Sequence, residues 1–426
     1  MEDKQTDPVL YKKTLQYGIY VFPVLLLVIG FFRASPTDIM IGMRDIITSP
    51  SVLLHDYLYI GGLGATLVNA GLCGIICCVL LALLRVELNG PFVAAVYTVI
   101  GFAFFGKNIV NIWPIFIGAA IFAKVQGVPI RNYALVALFG TTLAPLVSAI
   151  SFGSHLDTPL ALLVGSIMGV MAGFVLPPLA SHMLRFHDGY NIYNIGFTGG
   201  IVGSFLTAWL RSFDFTVAPS SLLEDRYDTF LKVLLLSFFA FLMFAGYMLD
   251  RMGNRVIADK MRLIHASSGR LISDFMRIGD VPSSIFNMGF MGLIASFFVM
   301  ALDGRFNGPV IGGLLTVVGF AAFGKHVKNC VPVLLGVYLA SLLKTWDGGS
   351  TPVIIAGLFG TTLAPIAGQF GLFAGVLAGF CHLSIVMNVG VLHGGVNLYN
   401  NGFAGGFVAS FLVPIINALK KEEVKS

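Results

Sequence analysis

The chain reads as long apolar stretches separated by short polar connections. Seven such stretches fall in the first half, near 15–33, 57–85, 90–106, 110–127, 131–152, 158–180 and 190–210. Seven more fall in the second, near 228–249, 284–303, 307–324, 330–344, 351–370, 372–390 and 394–419. Several are long enough to cross roughly 30 Å of hydrocarbon at about 1.5 Å per residue. The alternation over about ten residues that marks a transmembrane barrel is absent. The pattern predicts an all-α polytopic membrane protein. Stretches 90–106 and 131–152, with their mates 307–324 and 351–370, are short or interrupted by Gly and Pro. Such paired segments predict broken or re-entrant helices, which survive at that depth only when buried in protein or lining a wet cavity. The first stretch follows Lys4, Lys12 and Lys13, and it reads as a retained span rather than a cleaved secretory signal.

Four blocks occur twice in the same order. Leu138 to Pro145 returns unchanged as Leu358 to Pro365. Gly101 to Lys107 matches Gly319 to Lys325, Asn89-Gly90-Pro91 matches Asn307-Gly308-Pro309, and His187 to Asn194 matches His393 to Asn400. Residues 48–111 align without a gap on 266–329, which sets Asp56-Tyr57 on Asp274-Phe275. The chain therefore divides into a first transmembrane repeat over 1–214 and a second over 215–426, the latter containing a polar linker at 250–284. A finer repeat, Asn-x-Gly-(Leu/Phe)-x-Gly, begins at Asn69, Asn194, Asn287 and Asn400.

Lys and Arg concentrate on the cytoplasmic side of membrane proteins. Arg251, Arg255, Lys260, Arg262, Arg270 and Arg277 set 250–284 there, and Lys4, Lys12 and Lys13 set the N-terminus there. One span then carries 34–56, the counterpart of 250–284, outside, although Arg33 and Arg44 run against that count. The halves are expected to face opposite ways as an inverted repeat, with Lys420, Lys421 and Lys425 marking a cytoplasmic C-terminus. The expected location is the inner membrane of a cell.

Charged residues make up 11% of the chain against roughly 25% in soluble domains, so composition agrees with the pattern. The net charge of +5 fits basic cytoplasmic loops, and nucleic acid is not implied. Cys73, Cys77, Cys78, Cys330 and Cys381 lie in or beside apolar runs and read as buried small hydrophobes, with no second cluster to complete a metal site.

Lys107 and Lys325 end equivalent Gly-Phe-x-x-Phe-Gly stretches. Either the preceding segment is re-entrant and each lysine approaches the midplane, where it would favour an anionic or carbonyl-bearing solute, or the segment spans and each lysine snorkels to an interface. Pro145 and Pro365 each free a carbonyl one turn earlier, beside the hydroxyls of Thr141, Thr142, Thr361 and Thr362. That combination suits a polar solute or a dehydrated Na⁺, or else a kinked packing helix. The glycines of the finer repeat suit close helix packing, while Asn69, Asn194, Asn287 and Asn400, as buried amides, either bridge broken helices or contact solute. His187 and His393 precede the last segment of each half and offer proton coupling or interfacial caps. His382 reads as a core histidine. Phe104, Phe105, Phe139, Phe323 and Phe359 are candidates for apolar constrictions.

Few acids lie deep in the apolar stretches, and no phosphate-binding Gly-x-x-x-x-Gly-Lys-Ser/Thr loop, His-Glu-x-x-His or nucleophile triad occurs, so an enzyme is not expected. On its paired blocks the whole chain is similar to an uncharacterised bacterial family of multi-pass membrane proteins with a tandem-duplicated domain. More loosely it resembles urea transporters, with Asn69 to Gly74 then Leu138 to Pro145, and Asn287 to Gly292 then Leu358 to Pro365, standing for pore helix and following segment. The Pro-Phe-Asn ending of that family is missing. The seven-plus-seven count also resembles the uracil and sulfate carriers.

The expectation is a transport protein in a lipid bilayer, without a cofactor, passing a small polar or anionic solute between two inverted halves. The urea-channel likeness implies a homo-oligomer, trimeric by that analogy or dimeric. The alternatives are a Na⁺-coupled carrier and a membrane scaffold or cofactor-binding subunit of a larger complex.

Overall fold

A computed structural model describes residues 17–217, 220–253, 256–343 and 345–423. Lys4, Lys12, Lys13, Arg255 and Lys425, on which the charge-based orientation leans, lie outside the described residues, as does the side chain of Lys421. Among the described residues the fold is helical apart from an isolated β-bridge between His55 and Leu222.

The first half contains α1 (Val21–Arg33), α2 (Pro36–Thr48), α3 (Tyr57–Leu83), α4 (Gly90–Phe102), α5 (Trp113–Val125), α6 (Ala134–Gly140), α7 (Ala144–Gly153), α8 (Thr158–Phe186) and α9 (Asn194–Arg211). The second contains α10 (Asp228–Met252), α11 (Ile257–Ala266), α12 (Phe275–Ile278), α13 (Val281–Ala301), α14 (Gly308–Phe320), α15 (Val327–Leu343), α16 (Thr351–Gly360), α17 (Ala364–Phe370), α18 (Leu372–Val389) and α19 (Asn400–Glu423). Counting α6–α7 and α16–α17 each as one stretch, eight stretches among the described residues are long and apolar enough to cross a membrane. The chain is an all-α polytopic membrane protein, and the seven apolar stretches expected in each half all appear as helices. Residues 34–56, read as an outside loop, are instead helical over α2. Ser35 accepts a hydrogen bond from the Asp38 N–H at 3.1 Å and Pro36 opens the first turn, so a new helix starts there, bent 118° from α1.

The direction of each half follows from its contacts. α4 and α14 pack antiparallel, with Gly90 against the Ala322 carbonyl, Gly101 against Gly312 and Gly308 against the Phe104 carbonyl. α3 folds back on α4 through a short turn, which brings Asn69 to Ala103, and α13 folds back on α14 in the same way, which brings Asn287 to Ala321. α3 and α13 therefore run in opposite directions. The halves form an inverted repeat about a pseudo-twofold axis that passes between α4 and α14.

Small residues make the packing close. A Cβ added to Gly173 on α8 would stand 2.0 Å from the Ile115 carbonyl oxygen of α5, and one on Gly379 of α18 would stand 2.1 Å from the Val333 carbonyl oxygen of α15. The finer repeat works similarly: Gly71 lies against Pro23 and Leu27 of α1, and Gly289 and Gly292 lie against Phe239 of α10. Close backbone approach is how helices associate where lipid removes the hydrophobic drive between them.

The inverted arrangement predicts opposite labelling of equivalent positions. In a Cys381→Ser background, Thr48→Cys and Ala266→Cys should react with a membrane-impermeant maleimide from opposite sides of a sealed vesicle. Labelling of both from one side would rule the inverted arrangement out.

Candidate functional site

The central helices α4 and α14 are thirteen residues each, and both end inside the protein. Gly106 (φ +96°) and Gly324 (φ +130°) take the left-handed turn that ends them, a conformation open to glycine, and the Lys107 and Lys325 N–H groups donate back to the Phe102 and Phe320 carbonyls at 3.0 Å. Each lysine side chain is thereby thrown into the core, at 0% exposure. The snorkelling alternative is excluded by that burial.

The turn is held by an amide from the neighbouring helix. The Asn69 Nδ2 donates to the carbonyls of Ala103 (2.8 Å) and Lys107 (2.9 Å), and the Asn287 Nδ2 donates to those of Ala321 and Lys325 (both 2.8 Å). Of the two roles expected for these asparagines, they fill the bridging one. The other ends of the central helices are capped across the axis. Gly308 N–H donates to Asp56 Oδ2 (2.9 Å), and Gly90 N–H donates to Asp274 Oδ1 (3.1 Å). Burial raises the Asp274 carboxyl above its ordinary value against the hydrogen bonds from Gly90 and Met276.

The threonine turns also serve the axis. The carbonyl freed at Thr142 accepts the Leu398 N–H and that at Thr362 accepts the Ile192 N–H, each at 3.0 Å. The Thr142 hydroxyl donates to Asn397 Oδ1 (2.8 Å), and the Thr362 hydroxyl donates to Asn191 Oδ1. Both hydroxyls also accept backbone N–H bonds, from Tyr399 and Tyr193. The groups expected to face solute or Na⁺ thus tie the two halves together. Thr141 and Thr361 donate to the Leu138 and Leu358 carbonyls of their own turns.

His187 and His393 are buried rather than interfacial, at 1% and 0% exposure. They pair through Nε2 with Asn194 Oδ1 (3.1 Å) and Asn400 Oδ1 (2.9 Å), whose amides donate to the Ala180 and Val386 carbonyls. His382 meets Asn401 Oδ1 at 3.0 Å and belongs to the core as expected.

These bonds bring Tyr193 and Tyr399 together at the axis, with ring centroids 4.9 Å apart and the rings tilted by 43°. Tyr193 packs on Phe320 and Tyr399 on Phe102, each at 4.7 Å, and Phe359 lies within 6.3 Å of both tyrosines. The central aromatic plug is therefore built of Phe102, Tyr193, Phe320 and Tyr399. Of the phenylalanines proposed as constrictions, Phe139 packs on Phe320, Phe359 lies near both tyrosines, Phe323 lies beside Phe320, and Phe105 packs on Phe102 at the α4 end. Sequence reasoning passed over both tyrosines, Asn191 and Asn397, although all four lie in the repeated His187 to Asn194 and His393 to Asn400 blocks.

Two cavities approach this plug. One, of 270 Å³, is lined by Leu135, Leu271, Ile272, Phe320 and both tyrosines. The other, of 710 Å³, is lined by Leu53, Leu54, Ile355, Gly390, Asn400 and Asn401. Leu53, Leu54 and Ile355 are the equivalents of Leu271, Ile272 and Leu135, so the cavities are related by the pseudo-twofold and open at opposite ends of the α4–α14 pair. Among the described residues no cluster of three or more His, Cys, Asp or Glu side chains could hold a metal ion.

One family model matches residues 35–212 and again 253–418, one stretch in each half. The chain belongs to that family, described as protein of unknown function DUF1576. No curated protein and no solved structure matches it. The likeness to urea transporters has no support in these comparisons, and the DUF1576 assignment agrees with the tandem duplication.

The lysines differ in one respect. Lys325 Nζ donates to the Tyr193 hydroxyl and to Thr361 Oγ1 (2.6 Å), whereas Lys107 Nζ has no hydrogen-bond partner. Replacing Lys325 by Met should leave two buried hydroxyls short of a bond and cost about 1–3 kcal/mol, while Lys107→Met should be neutral or stabilising. Thermal unfolding of the two variants in one detergent checks this; equal losses would refute the difference between the sites.

Proposed function

We propose that the protein transports a small polar or anionic solute across a membrane, between its two inverted halves and past the Tyr193–Tyr399 pair. The observation that carries the reading is the pair of symmetry-related cavities, which approach one aromatic plug from opposite ends. An inverted repeat with irregular backbone at its centre, tied by side chains of both halves, is the architecture in which a path of this kind forms between the halves. The polar groups near the plug include two buried lysines, hydroxyls and the Asn191 and Asn397 amides, and among the described residues no carboxylate pairs with either lysine, which favours negative or hydrogen-bond-accepting solutes over cations.

The cavities differ in depth. The 270 Å³ cavity reaches both tyrosines, while the 710 Å³ cavity stops at Ile355, Asn400 and Asn401. With the linker 250–284 on the cytoplasmic side of an inner membrane, the deeper cavity opens inward. Arg211, Ser220 and Ser221 border the outer one and give it a polar, positively charged rim. An anion approaching from outside is drawn to such a rim.

Stopped-flow light scattering on proteoliposomes tests the proposal, with formate and urea compared and no ion gradient imposed. The expected result is faster influx of at least one solute than in empty liposomes. Tyr399→Ala should raise that rate on the order of tenfold, equivalent to about 1.4 kcal/mol off the barrier. A rate that rises only under a Na⁺ gradient would convert the reading to a coupled carrier. No acceleration under either condition would end it.

A further inference from the structure

We propose that Lys107 is the binding site for one small monovalent anion, a deepening of the transport reading that rests on it for the solute's class. The argument begins with the two halves. Around Lys325 the protein supplies its own oxygens, from Tyr193 and Thr361. The sequence equivalents of those two residues in the other half are Tyr399 and Thr141, but neither bonds to Lys107, whose Nζ lies over the Phe102 ring. The difference lies at the tyrosine: the Tyr399 hydroxyl donates to Thr98 Oγ1 at 3.2 Å, whereas Thr141 and Thr361 both donate to the carbonyls of their own turns. Lys107 Nζ is left with no hydrogen bond, at 0% exposure, 4.9 Å from the centre of the Phe102 ring.

A buried ammonium held only by a ring face is costly, and it is relieved either by losing its proton or by a counter-charge. No carboxylate pairs with Lys107 among the described residues. The charge of the ligand follows from that. One positive charge is neutralised by one negative charge, and a dianion would leave a net charge in the apolar interior. A neutral carbonyl solute would leave the ammonium uncompensated. The size is limited by burial, since Lys107 has no exposed surface and its Nζ lies 4.9 Å from the Phe102 ring, which leaves room for a small ion alone. Access also runs through Tyr399, which borders the 270 Å³ cavity on one face and packs on Phe102 on the other. Formate, nitrate and chloride have the required charge and size, and gluconate is too large.

The test is binding to the purified full-length protein in detergent, read as the thermal midpoint during titration with sodium formate, nitrate or chloride. Sodium gluconate holds the ionic strength constant. The expected result is a saturable rise with at least one small anion, abolished in Lys107→Met, retained in Lys107→Arg, and unchanged in Lys124→Met, where an exposed lysine is lost. The midpoint of Lys107→Met without added anion should equal or exceed that of the wild type, so that loss of response is not loss of fold. No saturable rise in the wild type, as a neutral amine at position 107 requires, would overturn the site, and so would a rise that survives in Lys107→Met. Binding and transport can fail separately. A saturable response without flux in liposomes would remove the transport reading and keep the site. Flux that Lys107→Met leaves untouched would remove the site and keep transport.

Discussion

The central constraint on this fold is that two helices end in the middle of an apolar protein. A helix end leaves carbonyl and N–H groups without partners, and inside a membrane protein no bulk water supplies them. Asn69 and Asn287 meet the demand at one end of α4 and α14, each bridging two carbonyls across the glycine turn. Asp56 and Asp274 meet it at the other end, each from the opposite half. Removing one of these side chains would expose a helix terminus to an environment that cannot solvate it. The antiparallel α4–α14 pair, the aromatic plug and the buried lysines all depend on those terminations, because the turn after α4 or α14 is what aims each lysine at the axis.

A second set of bonds joins the halves. Thr142 and Thr362 each use a hydroxyl and a freed carbonyl on the loop before the last helix of the other half. A broken helix in each half thus grips the loop that carries the opposing tyrosine. The position of the tyrosine pair is set jointly by both repeats, and a shift of one repeat against the other would be felt there first. This coupling gives the transport reading a physical basis, since a path between two bodies is gated by whatever both bodies hold.

The repeated blocks made much of this legible before any coordinates. Gly106-Lys107 and Gly324-Lys325 stood out because a charge follows a glycine twice in apolar surroundings, and the structure buries both. The broken helices were legible from Gly140 and Pro145 and their mates for the same reason. The direction in which Thr142 and Thr362 point was not legible. Their partners lie 255 and 171 residues away, and the repeat preserves both sides of each contact without indicating that they meet. Tyr193 and Tyr399 were hidden differently. In a chain with 12% aromatic residues a tyrosine carries little weight, and the histidine and asparagine beside it drew the functional reading. The helix α2 was missed because a short interval holding Asp38, Arg44 and Asp45 between two apolar stretches does not stand out as a helix until Ser35 and Pro36 are read as a helix start.

The asymmetry between Lys107 and Lys325 has consequences for energetics. The two sites are built by related sequences, yet Lys325 has hydrogen-bond partners and Lys107 has none. Tyr193 faces its lysine, and Tyr399 faces Thr98 instead. A ligand distinguishes the two sites only by its differential affinity for them. An anion held by the unpartnered lysine meets that condition, because the partnered lysine already spends its donors on Tyr193 and Thr361.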